Sequence, residues 1–107
     1  MRRPHIVQRI AETMHTMVPN AQTILYGSEA RGDARPDSDS DIDLLILLDD
    51  TPKVSPEREH EIFGFLYDIE LETGVFISPL ILARKQWEER PFETPFSINV
   101  RNEGITL

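Results

Sequence analysis

Cysteine is absent from the chain. Its absence excludes disulfide bonds, thiolate metal ligands and a cysteine nucleophile. Long apolar runs are also missing, because no stretch approaches the roughly 20 residues that a membrane-spanning helix needs. Residues 1–6 include basic side chains without an apolar core behind them, so a secretory signal is not expected. The sequence therefore predicts a cytosolic location and no membrane partner.

Positive charge is scarce, with 11 Lys and Arg against 19 Asp and Glu and a net charge of −8. An acidic surface repels phosphate backbones, which disfavours a general nucleic-acid binder. The 107 residues suffice for one compact domain, and we expect a single domain over residues 1–107. A domain of this size has room for one core and one shallow site.

Apolar spacing in the first half predicts a helix, two strands and a long loop. Ile6, Ile10, Met14 and Met17 share one helical face, which indicates a helix over residues 4–18. Residues 23–26 are typical of a short strand. Residues 27–40 are expected to be a loop, with room for one helical turn near 28–31. The apolar run 42–48 favours a strand buried on both faces in the middle of a sheet.

The second half repeats the alternation of helix and strand. Ser55 as N-cap and Pro56 at the first helical position predict a helix to residue 73, ended by Gly74. A third strand is expected over 75–82, where Pro79 favours an edge position or a bulge. A short helix over 84–90 and a last segment, 96–107, helical up to residue 104, complete the chain. The expected fold class is α/β, a small mixed sheet of about three to four strands with helices packed on it.

Two carboxylates at the start of the second strand carry the expected chemistry. Asp41 and Asp43 are two residues apart, so in a strand both side chains point to the same face, while Ile42 and Leu44 point into the opposite layer. Two unpaired carboxylates repel each other, and burying them is costly. Mg²⁺ removes that cost, since it prefers carboxylate, phosphate and water oxygens. The pair predicts a magnesium site where the loop becomes the strand.

The end of the first strand offers a place for phosphate. Gly27 allows backbone amides to approach a ligand closely, and Ser28 adds a hydroxyl donor. Arg31 and Arg35 lie in the same loop and can neutralise phosphate charge. Each signal alone is weak, since Gly-Ser after a strand is usually a turn. Together with the carboxylate pair on the next strand, they indicate that this turn holds a triphosphate and that the carboxylates hold the metal.

These residues resemble a known signature. The segment Gly27-Ser28-Glu29-Ala30-Arg31-Gly32, followed by Ser40-Asp41-Ile42-Asp43-Leu44, is similar to the motif of the DNA polymerase beta-like nucleotidyltransferase superfamily. Its smallest branch, the minimal nucleotidyltransferases that are antitoxin partners of HEPN-domain toxins, is the nearest likeness. The motif covers residues 23–48, and the expected order of elements extends the resemblance over most of the chain.

The resemblance implies a reaction and a role for each residue of the motif. Gly27 and Ser28 would hold the β- and γ-phosphates, with Arg31 and Ser40 also among the nucleotide-binding residues. Asp41 and Asp43 would be catalytic and would bind two Mg²⁺. The expected activity is transfer of a nucleoside monophosphate, AMP from ATP as first choice, to a hydroxyl group. The expected partners are the nucleoside triphosphate and a HEPN-type toxin, and a homodimer is left open.

The chain departs from the family pattern in two places. The repeated Asp-Ser in 37–41 makes Asp39/Asp41 an alternative to Asp41/Asp43, which we prefer because its alternation continues into the apolar strand. Catalytic members also carry a third carboxylate on the following strand, where this chain offers only the hydroxyl of Ser78. Three acids on the preceding helix, at positions 68, 70 and 72, are expected to be solvated.

The missing acid leaves other functions open. One is a catalytically weak or inactive nucleotide-binding domain that neutralises a toxin partner by direct contact. Another is a detached domain of an aminoglycoside-type nucleotidyltransferase, which the small size disfavours because no second domain would grip the sugar.

Overall fold

The computed structural model describes residues 3–33 and 41–107. Helices and strands alternate along most of the chain. In chain order the elements are α1 Pro4–Met17, β1 Gln22–Tyr26, α2 Gly27–Arg31, β2 Ile42–Leu48, α3 Pro56–Thr73, β3 Ile77–Ala83, α4 Arg84–Glu88, α5 Pro95–Glu103 and β4 Ile105–Thr106. The mixed α/β class expected from the sequence is confirmed.

The two long helices begin where the sequence predicts and end within one residue of the predicted positions. Both α1 and α3 start with proline in the first turn, where the missing amide costs no helical hydrogen bond. The Ser55 hydroxyl caps α3 by accepting from the Arg58 amide at 3.2 Å. Gly74 ends α3 in the left-handed region, at φ 71°, which glycine adopts without steric cost.

A four-stranded sheet with the order β3-β2-β1-β4 organises the molecule. Strand β2 runs antiparallel to β1 and parallel to β3, and β4 pairs antiparallel with the other side of β1. The edge position that Pro79 predicts for β3 is therefore confirmed. The central position of β2 is confirmed as well, and six of its seven residues are buried.

Strand β2 supplies apolar side chains to both faces of the sheet. Its residues at 42, 44, 46 and 48 join α1 and α3 in the main core, whereas Leu45 and Leu47 join Val100 of α5 in a second, smaller cluster. Because side chains alternate along a strand, Asp43 lies on the face of the second cluster. Within residues 3–33 and 41–107, no helix is both long and apolar enough to cross a bilayer.

Strand β3 begins two residues later than the sequence predicts. Residues 75 and 76 lead the chain away from the helix end at Gly74, and the amide of Ile77 donates to the Glu70 carboxylate at 2.7 Å. Glu70, expected to be solvated, is half-buried because it caps the start of this strand. The other two acids of that group, Asp68 and Glu72, are exposed as expected.

The turn from α5 into β4 brings the last residues against β1. A Cβ atom added to Gly104 would lie 2.4 Å from the Val100 carbonyl oxygen and 2.9 Å from Cγ2 of Ile24. The close approach therefore requires glycine. Beyond the turn, the amide of Leu107 donates to the Thr23 carbonyl at 2.8 Å. Together with the pairing of Ile105 with Leu25, this contact places the C-terminal end of α5 beside the end of β1.

Replacing Gly104 with alanine should force α5 and β1 apart. We expect Gly104→Ala to lower the free energy of unfolding by about 1–3 kcal/mol, the usual cost of overpacking. Gly64→Ala is a matched control, because a Cβ there meets nothing within 4 Å. The control should be neutral or stabilising by up to about 1 kcal/mol, since Gly64 lies inside α3. Urea unfolding measures both, and equal stabilities of the two variants would contradict the argument.

Candidate functional site

The C-terminal end of β1 and the start of β2 lie side by side at one end of the sheet. Tyr26, the last residue of β1, pairs with Asp43, and Gly27 follows directly. Gly27 has a φ of 77°, and a Cβ added there would lie 2.4 Å from Oδ2 of Asp43. The carboxylate of Asp43 therefore occupies space that only a glycine leaves free. This contact joins the two halves of the sequence motif.

Asp41 and Asp43 influence each other electrostatically. Asp41 lies just before β2 and is exposed, whereas Asp43 is half-buried. Partial burial raises the pKa of Asp43, the charge of Asp41 raises it further, and Arg31 opposes both effects. Burial also raises the pKa of Tyr26, to which the Asp43 charge adds. The structure thus brings the two predicted carboxylates together in an environment that disfavours negative charge.

Helix α2 forms the predicted turn around Gly27 and Ser28. Gly32 ends it at φ 84° and donates to the Ser28 carbonyl at 3.0 Å. A buried ion pair fixes α2 to the start of α1, since Glu29 accepts from the Arg3 amide at 2.8 Å and from its Nε at 2.7 Å. Glu29 lies inside the motif, but its residue type alone does not reveal this structural role. We call residues 27–31 with the Asp43 contact the cradle.

Arg31 is engaged by two carboxylates. Its Nε donates to Asp33 at 3.1 Å, and its Nη1 donates to both oxygens of Glu103 at 3.2 Å. These hydrogen bonds, first that to Asp33 and then that to Glu103, raise the pKa of Arg31. Glu103 also accepts from the Gly27 amide at 3.0 Å. Sequence reasoning missed Glu103 because 76 residues separate it from Gly27.

The neighbouring strand carries a hydroxyl where the family resemblance implies a third acid. In the parallel register Ser78 pairs with Asp43, so both side chains lie on the same face. Ser78 is exposed. Phe76, whose carbonyl accepts from the Ile42 amide at 2.9 Å, lies beside Asp41. Position 76, just before β3, therefore carries an aromatic residue next to Asp41 along the backbone.

Four residues singled out in the sequence fall outside the described part of the chain. Ser40, Arg35, Asp37 and Asp39 lie within residues 34–40. The nucleotide-binding role of Ser40 and the choice between Asp39/Asp41 and Asp41/Asp43 therefore stay predictions.

The donor set fits Mg²⁺ only as a site completed by other molecules. Asp41 and Asp43 would supply two hard oxygen ligands, and a cation would offset the partial burial and the repulsion from Asp41 that raise the pKa of Asp43. Among residues 3–33 and 41–107, no three His, Asp or Glu side chains are grouped closely enough for a metal cage. The remaining ligands would come from phosphate and water, as is usual for Mg²⁺.

A separate groove of about 290 Å³ lies between α3 and β3. Its lining is mainly apolar and includes Phe63, Tyr67 and Ile77. Ile77 belongs to the main core, so the groove opens on the face of the sheet opposite Asp43. Among the described residues that line the groove, Glu70 is the one carboxylate, and it is already engaged by the Ile77 amide. The groove lacks the paired carboxylates of the candidate site.

A family model described as "Nucleotidyltransferase domain" matches residues 7–103. The chain belongs to the nucleotidyltransferase domain family. It is 32% identical over 86 residues to "Putative protein adenylyltransferase MJ0141" of Methanocaldococcus jannaschii. That alignment covers 80% of this chain and 77% of the relative. The family identity expected from the Gly-Ser and Asp-x-Asp motifs is confirmed, and the chain is a nucleotidyltransferase.

Two solved structures share the nucleotidyltransferase fold of this chain. One is a crystal structure of a toxin–antitoxin with AMP-PNP, with a TM-score of 0.62 at 17% identity. The other is a crystal structure of a mutant of the toxin–antitoxin MntA–HpeT, with a TM-score of 0.60 at 14% identity. Each match covers 92% of this chain and 69% of the other chain. At these identities the likeness establishes the fold.

Removing the charge of Asp43 should stabilise the metal-free nucleotidyltransferase. The folded protein raises the pKa of Asp43, so the ionised form costs stability at neutral pH, and this cost vanishes as the pH falls through the raised pKa. Because solvent screens part of the repulsion at this half-buried side chain, we expect Asp43→Asn to raise the melting temperature by only roughly 2–4 °C at pH 7.5 in EDTA. The difference should shrink toward pH 4.

Thermal unfolding with and without Mg²⁺ measures this effect. Mg²⁺ should raise the melting temperature of the wild type and leave Asp43→Asn unchanged, because ligands stabilise the state that binds them. Asp68→Asn, an exposed change on α3, is the charge-matched control. An Asp43→Asn variant less stable than the wild type in EDTA would contradict the electrostatic argument.

Proposed function

We propose that this nucleotidyltransferase transfers AMP from ATP to a hydroxyl group of a partner protein, as the antitoxin of a HEPN-type toxin. The observation that carries the proposal is the contact of Asp43 Oδ2 with Gly27. A triphosphate lying over the turn at Gly27 and Ser28 would be within reach of Asp41 and Asp43. The site therefore combines a place for phosphates with carboxylates at the point where the α-phosphate would lie.

The chain's own residues would bind and orient the triphosphate. The Ser28 hydroxyl and the amides of the first turn of α2 would donate to the phosphates at close range, because Gly27 has no side chain. Arg31 would contribute positive charge from the same turn. Leu45 and Leu47, which lie on the same strand face as Asp43, are buried in the second apolar cluster and hold this part of β2 in place. The strand that carries Asp43 is thus held in place before the substrate arrives.

The reaction would exchange one bond to the α-phosphate for another. The acceptor oxygen forms a bond to the α-phosphorus, the bond to the β-phosphate bridging oxygen breaks, and pyrophosphate leaves while the hydroxyl proton is released. Mg²⁺ held by Asp41 and Asp43 would supply electrostatic stabilisation of the attacking and leaving oxygens. A cation bound there would offset the burial and the charge of Asp41 that raise the pKa of Asp43, and would so favour its ionised form.

The relatives support the choice of nucleotide and partner. The M. jannaschii relative is named a protein adenylyltransferase, which favours AMP and a protein acceptor. The structural neighbours are toxin–antitoxin structures, one of them with AMP-PNP. A net charge of −8 suits contact with a basic ribonuclease-like toxin, because opposite charges steer such partners together.

Label transfer tests the proposal. The protein is incubated with ATP labelled at the α-phosphate, Mg²⁺ and the product of the neighbouring gene, and label on protein is measured. We expect transfer by the wild type and a loss of at least about 100-fold in Asp43→Asn, typical for removal of a group that stabilises the transition state. Asp68→Asn, away from the cradle, should keep wild-type activity.

Two results would distinguish a wrong reaction from a wrong assignment of the site. Absence of transfer by the wild type with Mg²⁺ or Mn²⁺ would overturn the proposed reaction. Transfer by Asp43→Asn at the rate of Asp68→Asn would leave the reaction standing and overturn the site.

A second candidate is a nucleotide-binding antitoxin that acts by contact alone. It is favoured by Ser78, which pairs with Asp43 on the strand where the family resemblance implies a third carboxylate. On this hypothesis an Asp41→Asn/Asp43→Asn variant still binds the toxin and still suppresses its activity, because silencing needs no transferred AMP. Co-expression of toxin and variant, scored by cell growth, measures this, and lost suppression with intact complex formation would favour catalysis.

A further inference from the structure

Glu103 links the C-terminal end of α5 to the cradle. Its Oε1 accepts from the Gly27 amide at 3.0 Å and from Arg31 Nη1 at 3.2 Å. Its Oε2 accepts from the same Arg31 nitrogen at 3.2 Å. One carboxylate therefore contacts both the backbone of the turn and the cationic side chain that the turn carries.

Glu103 lies in a position that is unfavourable for an acid. It is the last residue of α5, where the partial negative charge of the helix end repels a carboxylate. Its side chain is only 21% exposed, so water offsets this repulsion incompletely. Its charge also adds to the repulsion felt by Asp43. The unfavourable placement is offset by the contacts with Gly27 and Arg31, which indicates a role at the cradle.

The contacts of Glu103 restrict both parts of the cradle. The hydrogen bond to the Gly27 amide fixes the turn whose φ of 77° allows Asp43 to approach. Arg31 is held from two sides, because Asp33 engages its Nε while Glu103 engages its Nη1. An arginine held in this way loses less side-chain entropy when it binds a ligand.

We propose that Glu103 is a positioning residue that sets the Gly27 turn and the Arg31 side chain for triphosphate binding. The inference rests on the proposed function, in which the cradle takes the triphosphate. Glu103 does not contact the substrate in this role, and it acts through Gly27 and Arg31. The alternative is that Glu103 competes with the substrate. Its carboxylate would then occupy the hydrogen-bond donors that a phosphate needs and would have to leave before the phosphate binds.

Two substitutions distinguish positioning from competition. Glu103→Gln keeps an oxygen that accepts from Gly27 and Arg31 while removing the charge. Glu103→Ala removes the charge and the contacts together. Positioning predicts that Glu103→Gln binds MgATP as tightly as the wild type or more tightly, whereas Glu103→Ala binds about tenfold more weakly. Competition predicts that both variants bind more tightly.

Calorimetry with MgATP measures these affinities. Glu89→Ala, which removes an exposed carboxylate outside the cradle, is the control for net charge and should match the wild type. Thermal unfolding checks that each variant is folded. Should Glu103→Ala be unfolded, Glu103→Asp replaces it, since its shorter side chain keeps the charge but cannot reach both partners, and weaker binding is again expected.

Exchange of the Gly27 amide with deuterium, followed by NMR without nucleotide, gives an independent readout. Glu103→Ala should speed this exchange and Glu103→Gln should leave it near the wild-type rate. Unchanged exchange in Glu103→Ala, or MgATP binding by Glu103→Ala as tight as by the wild type, would overturn the positioning role alone. Failure of the wild type to bind MgATP would overturn the proposed function and this role with it.

Discussion

The contact between the Asp43 carboxylate and the bare Cα of Gly27 is the constraint on which the site depends. A Cβ atom at position 27 would lie 2.4 Å from Oδ2, so any larger residue would displace the carboxylate or the turn. The pairing of Tyr26 with Asp43 fixes this contact from the strand side. As a result, the turn expected to bind phosphate and the carboxylates expected to bind metal are one continuous surface.

That contact has an electrostatic cost, which neighbouring elements offset. Asp43 is half-buried next to Asp41 and near Glu103, and its pKa is raised. Burial of Leu45 and Leu47 on the same strand face holds β2 in place despite this repulsion. The buried Arg3–Glu29 pair fixes α2 from the opposite side. The cradle is thus an acidic site held by apolar packing and a buried ion pair, which suits a site that gains stability when it binds a cation.

Local patterns in the sequence were sufficient for most of the elements. The proline and cap residues of α3, the continuous apolar run of β2 and the edge position of β3 were all predicted correctly. Each depends on interactions within a few residues, or on a strand being buried on both faces. The start of β3 and the burial of Glu70 were predicted wrongly, because the Ile77 amide pairs with an acid on another element.

The sequence by itself determined the family, the helices and strands, and the motif residues Gly27, Ser28, Asp41 and Asp43, because these follow from local spacing and residue type. Only the tertiary structure brought Glu103 to Arg31 and Gly27, Glu29 to Arg3, and Ser78 opposite Asp43. These contacts join residues from 26 to 76 positions apart. No local pattern encodes such contacts, since they depend on strand order, on register and on the tight turn at Gly104.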